Sequence, residues 1–199
     1  MPVARARRRV KTVEVSTTVY APREEVYDFL LDFPGYADYS KHLESVRADG
    51  DGEPGTEYHL TFAWWKLDYT LHSRVTDVER PARIDWEVTK DLDAAGQWLV
   101  EEREAGDGRS DADGGVPDEG EAGGEGATGD ADACRVRLVV TYDPNSADGA
   151  LDLPMFVSLD WVIEKVADLV VEEGERVVER VVADLEGERR RVDLDVSVY

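Results

Sequence analysis

The apolar residues of this chain change their period once, and that change restricts the fold more than any other feature. As far as Tyr142 they alternate with polar residues, the two-residue repeat of strands that have one covered face. Beyond Pro154 they recur every three, four or seven residues, at Leu159, Ile163, Val166, Val170, Val177 and Val181, the stripe of an amphipathic helix. A sheet that is apolar on one side must be covered there, and only the terminal helix is long enough to do it. From Pro154 to Glu188 it would run roughly 50 Å, with Gly174 as a place to bend or split.

Within the alternating part, Val13, Val15, Thr17 and Val19 share one face of a first strand. Ala21-Pro22 then starts a helix: proline suits a first turn, Glu24 and Glu25 suit its positive end, and Val26, Phe29 and Leu30 follow at helical spacing. Pro34-Gly35 should end this helix, and Tyr36 to Lys41 should form a second short one. A strand from Leu43 to Ala48 leads into Asp49-Gly50-Asp51-Gly52, which marks a hairpin. Four further one-faced runs follow: Tyr58, Leu60, Phe62 and Trp64; Leu67, Tyr69, Leu71, Ser73 and Val75; Ile84, Trp86 and Val88; and a strand around Trp98. The last run holds Cys134, Val136, Leu138, Val140 and Tyr142. The predicted class is α+β: a curved antiparallel sheet of about seven strands on a long C-terminal helix, with two short helices after the first strand. Residues 189–199 alternate weakly and receive no assignment.

Charge sets the next limit. Forty-five acidic residues against 23 basic ones give a net charge of −22, which excludes a nucleic-acid binder that works by a basic groove. Carboxylates in such excess repel one another in dilute buffer, and molar salt, with a Debye length of about 3 Å, screens them. This is a composition of the halophilic type. Between residues 105 and 132 lie nine glycines, nine acids and no Leu, Ile or aromatic residue, so this segment reads as an acidic mobile loop inserted in a single domain spanning 12–188. A basic arm, residues 1–11, precedes the domain, and a tail, 189–199, follows it. No apolar run approaches the roughly 20 residues of a membrane span, and no apolar stretch follows Arg5, Arg7, Arg8 and Arg9 to make a secretory signal. The expected location is cytoplasmic, with contact at a membrane surface left open.

Nucleophile and phosphate-binding motifs are absent. His42, His59 and His72 lack metal-ligand spacing, and Asp111-Ala112-Asp113 lacks the rest of a calcium loop. By alternation His59, His72, Asp68 and Arg74 face outward, whereas Cys134 faces inward as a small buried hydrophobe. No catalytic residue, metal site or cofactor is therefore expected. The large side chains of the covered face are the candidate site: Tyr58, Phe62, Trp64, Tyr69, Trp86 and Trp98 from strands, and Phe156 from the helix. Tyr36 and Tyr39 would stand at the mouth. Ordinary core packing explains such rings equally well, unless sheet and helix leave a hollow between them. Trp64-Trp65 would mark a strand end where rings meet solvent, a partner or lipid head groups.

The segment from Val13 to Tyr36, with its strand, its Ala21-Pro22 helix start and its Phe33-Pro34-Gly35-Tyr36 motif, resembles the opening of the polyketide cyclase/dehydrase and START-like helix-grip superfamily. Pro54-Gly55-Thr56 and Gly96-Gln97-Trp98 are similar to that family too, and the coenzyme Q-binding branch is the nearest in pattern. The resemblance covers residues 12–185, with the acidic loop as an insertion. It implies a cavity for a hydrophobic small molecule, a lipid or an isoprenoid quinone, which the protein binds and transports. Two alternatives stay open: a cyclase or dehydratase, which needs a titratable group in the cavity, and an interaction module acting on a macromolecule through the basic arm.

Overall fold

The computed structural model describes residues 10–64, 67–103, 133–144, 146 and 174–199, with the side chains of Trp64, Leu67 and Asp68 excluded. The acidic segment 105–132, Trp65, the first nine residues and the predicted helix from Pro154 to residue 173, Phe156 included, lie outside the described residues.

Among the described residues eight strands form one antiparallel sheet in the order β2-β3-β4-β5-β6-β7-β1-β8. Their bounds are β1 (Lys11–Val19), β2 (Leu43–Asp49), β3 (Glu57–Trp64), β4 (Leu67–Glu79), β5 (Arg83–Val88), β6 (Ala94–Glu102), β7 (Cys134–Tyr142) and β8 (Asp195–Val198). Helix α1 (Arg23–Leu31) and a 3-10 helix (Phe33–Asp38) separate β1 from β2, and residues 174–186 form helix α2. The α+β class, the curved antiparallel sheet and the short helices after β1 are as the periodicity requires.

Register shows why. Val19 pairs with Cys134, Val15 with Leu138, Trp98 with Leu138, Ile84 with Trp98, and Phe62 with Tyr69. Each apolar run therefore meets the apolar run of its neighbour, and the inward faces fuse into one surface. Outward positions are held by arginine pairs across strands: Arg74 reaches Glu57 at 2.8 Å and Glu87 at 3.7 Å, and Arg137 reaches Glu14 at 3.4 Å and Glu101 at 2.5 Å.

Three details differ from expectation. The sheet has an eighth strand, because the weakly alternating tail pairs β8 with β1, Val13 facing Val198 and Val15 facing Val196. Pro34 does not end a helix; it lies in the first turn of the 3-10 helix, where a fixed φ and a missing N–H cost nothing. In α2 the deepest residue is Val182, 1 % exposed, with Val178 and Leu185 packed beside it against the core, so the inner stripe lies one residue on from the expected Val177 and Val181. Gly187, at φ 73°, ends α2 in the left-handed conformation that glycine adopts without strain.

Candidate ligand-binding face

The concave face of the sheet is sealed at one end and half-open beyond it. At the sealed end Tyr58 is 3 % exposed, Val75 and Ile84 0 %, Val100 and Cys134 1 %, and Val136 8 %. Helix α1 seats Val26, Tyr27 and Leu30 in the same cluster, and Arg23 of α1 ties it to β6 through a 2.8 Å bond from Nε to the Val100 carbonyl. Next along the same face come Leu60, Phe62, Tyr69, Leu71, Trp86, Trp98, Leu138 and Val140, all only half-buried. Close packing favours burial of large apolar side chains, yet Phe62, Tyr69, Trp86 and Trp98 are left partly open.

The expected site residues therefore fall into two groups. Phe62, Tyr69, Trp86 and Trp98 lie on the half-open part of the face, spread over four adjacent strands. Tyr36, Tyr39 and Tyr58 belong instead to a chain of rings. Tyr39 meets Phe29 edge-on at 5.4 Å, Phe29 stacks on Tyr36 at 6.0 Å, Tyr36 tilts on Phe33 at 5.2 Å, and Phe33 tilts on Tyr58 at 4.6 Å. Sequence spacing missed Phe33 and the bridging role of Phe29, because their contacts cross from α1 through the 3-10 helix to β3. Trp64 closes β3 with its side chain outside the described ones, and Phe156 lies outside the described residues altogether.

Polar ends of the ring chain are tied down. The Tyr36 hydroxyl donates to the Leu30 carbonyl at 2.5 Å, and desolvation followed by the nearby Asp32 carboxylate pushes its pKa far up. The Tyr39 hydroxyl donates to Asp184 Oδ2 at 2.8 Å, and Arg180 Nη1 donates to the Tyr39 carbonyl at 2.6 Å. Desolvation and that bond raise Tyr39 to about 12. Both Asp184 and Arg180 belong to α2, so the turn after the 3-10 helix is clamped to it.

On the half-open face Tyr69 is the titratable group that matters most for chemistry. Desolvation, then the Asp91 carboxylate, raises its pKa, which weakens it as an acid and leaves it a phenol that can donate a hydrogen bond. Cys134 sits at the sealed end, its thiol pushed up to about 11 by burial, which makes it inert. His59 and His72 pair across β3 and β4 with ring centroids 4.4 Å apart, at positions alternating away from Tyr58 and Leu71. Among the described residues no group of three His, Cys, Asp or Glu side chains could hold a metal, and no helix is long and apolar enough to cross a membrane. A shallow depression of about 540 Å³, lined by residues 88–93 and Ser146, lies at the β5–β6 turn.

Comparison with known proteins agrees with this architecture. The family described as polyketide cyclase/dehydrase and lipid transport matches residues 11–175. The fold is similar to the Zhui aromatase/cyclase from Streptomyces sp. R1128, with a TM-score of 0.58, 17 % identity, and coverage of 89 % of this chain and 94 % of that one. It is also similar to TTHA0849 from Thermus thermophilus (TM-score 0.55, 18 % identity, 88 % and 97 % covered). A third likeness is to Ara h 8.0201 (TM-score 0.53, 14 % identity, 88 % and 99 % covered). No curated protein sequence matches the chain.

Proposed function

Because the chain belongs to the polyketide cyclase/dehydrase and lipid transport family, we propose that its half-open concave face binds an apolar small molecule of the lipid or isoprenoid-quinone kind and carries it. One observation supports this above the rest: Phe62, Tyr69, Trp86 and Trp98 are only partly buried beside a fully sealed core. Burying a molecule against those rings gains about 25 cal/mol for each Å² of apolar surface removed from water, so binding needs no catalytic group. Native mass spectrometry of protein purified from its own host should show a bound apolar compound. Protein that is consistently empty, and that also fails to take up fluorene in equilibrium dialysis, would overturn the reading.

Tyr69 favours a second reading. A phenol held neutral on an apolar face could donate a hydrogen bond to an oxygen that gains charge in a cyclisation or dehydration. Replacing it by phenylalanine would then abolish turnover of a polyketide-like substrate while binding persisted. Unchanged turnover in that variant would remove the enzyme reading.

A further inference from the structure

His59 and His72 stand directly opposite each other on β3 and β4, on the face turned away from the rings. Backbone bonds show which kind of pair they form. The His72 carbonyl accepts from the Thr89 N–H, beyond β5, at 2.9 Å, while Val75 exchanges bonds with Gly55 and Thr56 just ahead of β3. His72 therefore turns its backbone groups away from β3. The two histidines make a non-hydrogen-bonded pair, the kind with Cα atoms only about 4.5 Å apart and side chains closest. Their ring centroids are 4.4 Å apart, with the planes crossing at 71°. Two imidazoles bound side by side to one metal ion at about 2.1 Å hold their centres about 4.5–5 Å apart, so the ladder already supplies the spacing.

The rings are not engaged elsewhere. Among the described residues no ring nitrogen of either histidine is buried or hydrogen-bonded. On one side of the pair Arg74 is held by Glu57 at 2.8 Å and Glu87 at 3.7 Å; on the other Thr61 and Thr70 bond each other at 3.3 Å. Lys90 lies 3.7 Å from the Asp91 carboxylate. Arg47 faces His59 from β2, but it is exposed and its long side chain can turn to water. The outer torsion of histidine is soft, so small turns bring one nitrogen of each ring toward a common point. A net charge of −22 also draws cations to the surface.

We propose that His59 and His72 together form a two-ligand site for a divalent cation of the zinc and copper class, with water in its remaining positions. Imidazole suits these ions, whereas magnesium and calcium prefer oxygen. With two protein ligands instead of the four of a structural zinc site, it is an open and exchangeable site. Its spacing along the chain carries no metal signature; the β3–β4 register creates it. The site lies across the sheet from the ring-lined face and does not depend on the binding reading above.

Zinc nitrate added to the full chain in molar potassium nitrate, where exposed carboxylates are screened, should saturate at one ion per chain below about 1 mM in isothermal titration calorimetry. His59→Gln and His72→Gln should each weaken binding about tenfold or more, because either change leaves a single imidazole. In the unaltered protein the ring resonances of His59 and His72 should shift together on adding zinc, while those of His42 stay in place. That second measurement stands even if a variant does not fold. No saturation below millimolar zinc, an affinity unmoved by either substitution, or a shift confined to one of the two rings would overturn the site.

Discussion

Gly96 has no side chain where Trp86 needs the space, and the pair shows how one residue can be dictated by its neighbour across a ladder. Gly96→Ala places a methyl group within 2.2 Å of the indole, so the ring must leave its position. We expect a loss of about 1–3 kcal/mol in denaturant unfolding, as for other overpacked sites, and an unchanged midpoint would refute the close approach. His72 supplies a second residue-scale test. Desolvation first, then His59 and Lys90, lowers its pKa from 6.5 in the fold. The unfolded chain therefore binds the proton more readily, and stability must rise with pH across this window. The contribution is fully present above about pH 6.5 and is lost as pH falls through the lower folded value. Unfolding midpoints measured from pH 5 to 8 should drop at the acid end for the unaltered protein and less so for His72→Gln. Identical curves would show that His72 is not desolvated by the fold. Alternation in sequence already placed His72 outward and Trp86 inward; it held no sign that His59 and Trp86 would be met by a histidine ring and a bare glycine.

At the scale of elements, the tail teaches most. Its alternation over Val192, Leu194, Val196 and Val198 is too short and too polar to identify a strand, and pairing alone makes it one. It is held by bonds in both directions between Thr12 and Tyr199, at 3.1 and 2.9 Å. A latch behind it fixes the turn: Arg190 bonds Glu186 through Nε and Nη2 at 2.7 Å, and the Thr18 carbonyl at 2.7 Å. Removing residues 195–199 would bare the β1 edge, a template for pairing with other chains. The truncated protein should lose stability and associate in size-exclusion chromatography; a stable monomer would show that β8 is dispensable as an edge cover. Helix α2 illustrates a different limit. Val177-Val178 and Val181-Val182 are adjacent identical residues, so helical spacing fits either stripe equally, and contact with the sheet selects Val178 and Val182.

For the whole molecule, net charge is the dominant variable. At −22 the folded chain concentrates carboxylates that the unfolded chain spreads apart, and added salt should favour the compact state. Melting temperature is expected to climb between 0.1 and 3 M KCl. The outer-face ion pairs oppose this trend weakly, since pairs such as Arg74–Glu57, 42 % and 45 % exposed, are worth little in water. A melting temperature that stays flat or falls with KCl would rule out the halophilic reading of the composition.

Periodicity by itself determined the class of fold, the shared inward face of the strands and the place of the short helices, because a period of two or of 3.6 is a local property of the chain. Alternation likewise assigned Phe62, Tyr69, Trp86 and Trp98 to one side. Only the tertiary structure decided which rings close the core and which stay half-open, why Tyr39 is clamped to α2 while Tyr36 is tied to α1, and why the Trp86 donor has no partner among the described residues. Those depend on which strands become neighbours, in what register and beneath which helix, and such long-range distances are not written in the spacing of residues along one strand.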